Sequence, residues 1–171
     1  SSGLHSKQYI QCAKLLSQPQ KAETICFSLC KKIKKNFNKI DIVLSPALGG
    51  VVVGYEIGLQ LKIETIFAER IENKLTLRRG FKIKQNSNVL IVEDVITTGK
   101  SALECLNIVK MNNANLVGYA CIIDRSSKSV SIKDKIVSQM QFNIETFTEG
   151  KIPEGLRKIQ PIKPGSKNLT K

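Results

Sequence analysis

VLIVEDVITTGKS, residues 89–101, is the stretch on which the reading of this chain turns. Val89 to Val92 form the apolar run of a buried strand, and the run stops at two adjacent acids, Glu93 and Asp94. After Val95 and Ile96 come Thr97, Thr98, Gly99, Lys100 and Ser101, which lead into the amphipathic helical segment SALECLNIVKMNNA. A strand that passes through a hydroxyl-rich turn into a helix aims the helix's unpaired N–H groups, and about half a positive charge, at whatever occupies the turn. Thr97, Thr98, Gly99 and Ser101 are suited to wrap one phosphate monoester, with Gly99 letting the backbone come close. Paired acids at a strand end are costly without partners. They repel phosphate but suit the vicinal hydroxyls of a ribose, or a cation held through water. The stretch therefore fits a sugar phosphate; a solvent-facing loop with an ordinary Thr or Ser N-cap is the competing reading.

TTGKS also invites a comparison with the nucleotide-binding P-loop, and the comparison fails. That loop needs a glycine with four residues between it and the Gly-Lys pair. Asp94 occupies the position here.

Outward from this stretch, the pattern alternates strands and helices. Residues 7–37 read as mainly helical, with apolar positions at 22, 25, 26, 29, 30 and 33. IDIVLS (40–45) is a short buried strand, PALGG a turn, and VVVGYEIGLQL a packed helix despite Gly54 and Gly58. KIETIFAE is a second strand, NKLTLRRGFKI a hairpin or mobile loop, NVLIVED the third strand and NLVGYACIID the fourth. This order predicts an α/β fold with a parallel central sheet flanked by helices, whose ligands bind at the carboxyl ends of the strands. The proline- and glycine-bearing tail after Ile152 is expected to be irregular, and no internal repeat is present.

Composition narrows the function classes. A chain of 171 residues suits one domain, read as an N-terminal segment (1–40), a core (41–135) and a C-terminal segment (136–171). No run approaches the roughly 18 apolar residues that span a membrane, and nothing resembles a secretion signal. The net charge of +13 would suit a polyanionic partner. The lysines are scattered and not interleaved with aromatics, so a polyanionic small molecule is preferred to nucleic acid. Five cysteines form no CxxC pair, and Cys26 and Cys30, one helical turn apart, have no second pair or nearby His to complete a metal site. They are read as structural, reduced thiols of a cytoplasmic protein.

VLIVEDVITTGKS resembles, position by position, the signature of the phosphoribosyltransferases. LSPALGGVVVGYEIG is similar to their pyrophosphate loop, with Ser45 to Gly50 offering backbone N–H groups to the leaving group. In CIIDRSS, Asp124-Arg125 closes the fourth strand; an arginine fork matches a carboxylate bidentately. Orotate carries a carboxylate, and the purine bases and uracil do not. SSGLHSKQYIQCAKLL resembles the amino-terminal segment of the orotate phosphoribosyltransferases of short bacterial type, and the likeness extends to the KPGSK tail.

The resemblance implies a type I phosphoribosyltransferase fold with a small hood formed largely by the N-terminal segment, and a chain that lacks some residues before Ser1. It implies transfer of phosphoribose from 5-phosphoribosyl 1-pyrophosphate to orotate, in pyrimidine biosynthesis. Arg70, Glu93, Asp94, Val95, Ile96, Thr97, Thr98, Gly99, Lys100 and Ser101 are then the phosphoribosyl pyrophosphate residues, and Thr97 and Arg125 the orotate residues. Lys74 and Asp94 are implied to be catalytic. Arg78 and Arg79 would add cations around the leaving group. FAERIENKLTLRRGF stands where the family has its mobile catalytic loop, although Thr76 occupies the usual histidine position. Mg²⁺ would arrive with the sugar pyrophosphate and take no direct protein ligand, and the family's homodimers imply a homodimer here. A purine-base transferase, or a non-catalytic regulator that senses the sugar pyrophosphate, are the alternatives.

Overall fold

The structure, a computed structural model, describes residues 5–126 and 131–162. Contacts divide the chain into two compact units, Cys12–Phe142 and, from the two ends, Ser1–Gln11 with Asn143–Lys171. Ser1–Leu4, Ser127 and KPGSK, which carry part of the family likeness, lie outside the described residues.

The smaller unit holds β1 (His5–Ser6) antiparallel to β8 (Thr146–Phe147), with His5 opposite Phe147. A 3-10 turn (Glu149–Lys151) and α5 (Glu154–Arg157) follow β8. The N-terminal strand is thus completed by the C-terminal segment, where the sequence suggested a largely N-terminal element.

The larger unit is built on a six-stranded sheet of order β4-β3-β2-β5-β6-β7, where β2 is Ile42–Pro46, β3 Glu64–Ile71, β4 Lys74–Leu77, β5 Asn88–Ile96, β6 Asn115–Asp124 and β7 Ile136–Gln141. All neighbours run parallel except the β3–β4 hairpin. That hairpin turns on Glu72 and Asn73, both at positive φ (46° and 65°), the backbone of a two-residue type I′ turn. The ambiguous NKLTLRRGFKI stretch is therefore a paired strand followed by a short connection.

Strand alternation sorts the core onto two faces. Ile42, Leu44, Ile66, Val89 and Ile91 join Ala102, Cys105 and Val109 of α4 (Lys100–Met111) in one buried cluster. Val43 points the other way, toward α3 (Gly49–Leu61): a Cβ placed on Gly54 would come 3.5 Å from it. Glycines 50, 54 and 58 make a stripe one turn apart along α3. A Cβ at Gly54 would overlap the Ser45 hydroxyl, and one at Gly58 the Thr65 hydroxyl, so the helix backbone lies directly on β2 and β3. That close approach explains why a helix here tolerates residues that ordinarily weaken helices.

Helix α1 (Cys12–Leu16) and the longer α2 (Pro19–Asn36) belong to this unit, α2 burying Ala22, Cys26, Leu29, Cys30 and Ile33. Strand β7 was not legible in the sequence. IVSQMQ lacks clear alternation because it is a half-buried edge strand. Lys32 of α2 satisfies its edge by donating to the carbonyls of Ser138 (3.0 Å) and Gln139 (2.9 Å). Among the described residues, no helix is long and apolar enough to cross a membrane.

Candidate active site

The chain order reverses direction in the sheet between β2 and β5: β2 leads outward to β3, and β5 leads the other way to β6. Open α/β sheets bind ligands at such a point, beyond the strands' carboxyl ends. Three segments lie at these strand ends: residues 47–50 after β2, running into α3, 97–99 after β5, and Arg125 with Ser126 after β6.

The two acids of β5 diverge. Glu93 lies two residues beyond Ile91 and so faces α4; it is buried. Asp94 faces the opposite side of the sheet, toward the start of α3, where a Cβ on Gly49 would lie 2.7 Å from its Cγ and both carboxylate oxygens. Burial pushes the Glu93 carboxyl up to about 8, helped by the charges of Asp94 and Glu104 and opposed by a hydrogen bond with Ser101. This environment favours the protonated form of Glu93. Burial also raises Asp94, offset by backbone N–H donors at Val95 and at Asp94 itself. Cys12 of α1 lies near this charge, which adds to burial in pushing its thiol to about 12.

The phosphate-type turn is built largely as its sequence suggests. Gly99 is the N-cap of α4 in the left-handed conformation (φ 71°), and no side chain caps the helix. Its carbonyl accepts from Leu103 N–H (2.9 Å). Thr97, Thr98 and Lys100 are exposed around it, and Ser101 is half-buried. Val95 is half-buried, while Ile96 packs in the core and its carbonyl accepts from Arg125 N–H at 2.8 Å.

The loop after β2 offers fewer donors than the sequence suggested. Pro46 has no N–H, and that of Ala47 is donated to the Ala68 carbonyl (2.8 Å). Leu48, Gly49 and Gly50, at the start of α3, remain. A bulky side chain is excluded at Gly49 by Asp94, and at Gly50 by the Val92 carbonyl, 3.0 Å from a Cβ there.

On the β6 side, Ile96 pairs with Asp124, so Thr97 and Arg125 leave adjacent strands side by side. Asp124 is buried and accepts from Ser126 N–H (2.7 Å), which fixes the turn. The Arg125 Nε is buried and has no hydrogen-bond partner among the described residues.

The hairpin cations divide. Arg70 pairs with Glu104 of α4 at 2.9 Å. Arg79 forks onto Glu69 at 3.0 and 2.8 Å, over the Phe67 ring. Lys74 and Arg78 are exposed. Leu75 packs into the α4-side cluster, so Lys74, its neighbour on β4, projects from the opposite face. Sequence reading missed Glu104. Its spacing from Ser101 imitates a capping box, yet the helix starts at Gly99 and Glu104 reaches Arg70 instead.

This fold and this strand-end constellation have known counterparts. Residues 13–151 match the family described as Phosphoribosyl transferase domain. An orotate phosphoribosyltransferase of Caldicellulosiruptor saccharolyticus is 44% identical over 99% of this chain and 87% of its own length. One from Erythrobacter litoralis is 39% identical over 98% and 87%. The crystal structure of orotate phosphoribosyltransferase from Aeropyrum pernix shares the fold, with a TM-score of 0.68 at 18% identity over 78% of each chain. The chain is an enzyme of the phosphoribosyltransferase class. Within that class, it belongs to the orotate phosphoribosyltransferase family.

Proposed function

We propose that this chain transfers the phosphoribosyl group of 5-phosphoribosyl 1-pyrophosphate to orotate, giving orotidine 5′-monophosphate and pyrophosphate. The observation that carries the choice of base is Arg125: its Nε is buried without a partner among the described residues, and its backbone leaves β6 beside that of Thr97, one strand from the acid pair. A buried guanidinium donor without an acceptor is costly, and a carboxylate-bearing base would supply the acceptor.

The roles follow from position. The start of α4 and Thr97 to Ser101 hold the 5′-phosphate. Glu93 and Asp94 hold the ribose hydroxyls from the end of β5, their carboxyl oxygens accepting from the O–H groups. Leu48 to Gly50 present N–H groups to the pyrophosphate, and Arg70 adds charge. The anomeric C–O bond breaks and the pyrophosphate leaves with the electron pair; a ring nitrogen of orotate bonds to that carbon and gives up its proton, which the departing pyrophosphate or solvent takes. The protein's task is positional and electrostatic. The hard carboxylate oxygens at the end of β5 suit Mg²⁺ carried in by the sugar pyrophosphate. When bound on the pyrophosphate, that ion offsets the leaving group's charge.

We extend the proposal to a cytoplasmic homodimer in which Lys74, at the hairpin tip, serves the neighbouring copy. Five buried free cysteines support the first part. Leu48, Val52, Tyr55 and Leu59, an exposed apolar stripe along α3, support the second.

A base panel tests the reading. Orotate, adenine and hypoxanthine are each mixed with the protein, phosphoribosyl pyrophosphate and Mg²⁺, and base consumption is followed by absorbance. Consumption of orotate alone is expected. Consumption of a purine would favour a purine transferase, and binding of the sugar pyrophosphate without turnover would favour a sensor.

A further inference from the structure

We infer that Glu104 is a positioning residue: it fixes the Arg70 guanidinium and the β3–β4 hairpin against α4, so that the sugar pyrophosphate meets a prearranged cation. The inference rests on the proposed function and adds a residue to its substrate-binding machinery.

Three bonds carry it. Glu104 Oε2 accepts from Arg70 Nη1 at 2.9 Å and from Leu75 N–H at 3.3 Å. The same Nη1 donates to the Asn73 carbonyl in the turn. Arg70 and Leu75 are directly opposed in the hairpin, so one carboxylate grips both strands. Among the described residues both bonds of Arg70 use a single nitrogen, which leaves the Nε and Nη2 edge of the fork for a bidentate acceptor.

Glu104 also joins this hairpin to the helix whose N-terminus forms the phosphate turn. It lies three residues beyond Ser101, and its charge is felt by Glu93 and by Cys105. The ribose-phosphate elements and the pyrophosphate-side cation are thereby linked through one side chain. A surface pair used only for stability would contribute little. This pair is half-buried, with side-chain exposures of 33% for Arg70 and 20% for Glu104, and its cation faces work in the reaction.

The test is calorimetric titration of phosphoribosyl pyrophosphate with Mg²⁺ into the wild-type chain, Glu104→Gln, Glu104→Asp, Arg70→Gln and the Arg70→Gln/Glu104→Gln pair, with orotate kinetics and melting temperatures in parallel. Glu104→Gln is expected to weaken sugar-pyrophosphate binding about five-fold, the scale of one partly exposed ion pair. The KM for orotate should stay within about two-fold of wild type. Glu104→Asp should recover most of the loss. In the Arg70→Gln background the Glu104→Gln change should have little further effect, because it acts through the missing guanidinium. Unchanged binding in Glu104→Gln, or equal losses with and without Arg70, would overturn the inference. A wild-type chain that binds the sugar pyrophosphate but ignores orotate would instead refute the proposed base and leave the Glu104 comparison readable.

Discussion

Asp94 and Gly49 are in contact: the carboxylate of one occupies the space where the other would carry a side chain, all three of its terminal atoms lying 2.7 Å from that Cβ position. The acid near the end of β5 and the first residue of α3 therefore form one surface. Gly49→Ala should displace the flexible carboxylate while leaving the core untouched. Turnover is expected to fall about 10²-fold, as for other small misplacements of a reacting geometry, with an unchanged melting temperature. Steady-state kinetics alongside thermal denaturation check both parts.

Asp94→Asn keeps the shape and removes the charge. Turnover should drop by about 10² or more if a preorganised anion faces the developing positive charge, while circular dichroism and melting stay close to wild type. Unaltered turnover would remove Asp94 from the ribose site.

Glu93 gives a pH signature. Its carboxyl is raised from 4.5 to about 8, first by burial and then by Asp94 and Glu104. A raised folded-state value means that its contribution to stability is fully present below about pH 4.5. It is lost as pH climbs toward 8, because the unfolded chain ionises while the folded chain must hold its proton. Glu93→Gln has no proton to lose. Its melting temperature relative to wild type should rise between pH 4.5 and 8 and level off above. Parallel melting curves across that window would show that Glu93 is already ionised in the folded chain.

The glycine stripe of α3 predicts a pure stability effect. A Cβ on Gly54 overlaps the Ser45 hydroxyl beneath the helix. Gly54→Ala should cost about 1–3 kcal/mol, the scale of overpacking in a filled core, read as a lower urea midpoint.

The fold was legible where hydrophobic pattern and turn chemistry agree. Val89 to Val92 announced a buried strand, and Gly99 followed by an amphipathic run announced a helix start. β7 escaped because an edge strand buries too little to impose alternation on IVSQMQ. At the site, the acid pair, the Thr-Gly turn and Arg125 were legible because each is a local pattern. That Glu93 and Asp94 serve opposite faces follows from strand alternation, but its consequences do not. The upward shift of Glu93 comes first from burial, then from the charges of Asp94 and of Glu104, a helical turn into α4, and the close fit at Asp94 depends on Gly49, forty-five residues earlier. Both are products of tertiary packing. The pairing of Arg70 with Glu104 and of Arg79 with Glu69 was hidden for the same reason: sequence reading counts cations without showing which are already matched.

In the proposed reaction the carboxylate of orotate meets Arg125 at the end of β6. The most direct test is the kinetics of orotate consumption by the wild-type chain and by Arg125→Ala, with phosphoribosyl pyrophosphate and Mg²⁺ in excess. Wild type should consume orotate, and the variant should raise the KM for orotate by about 30- to 100-fold, the loss of a charge-assisted pair, without changing the KM for the sugar pyrophosphate. Equal orotate kinetics in the two proteins would contradict the account.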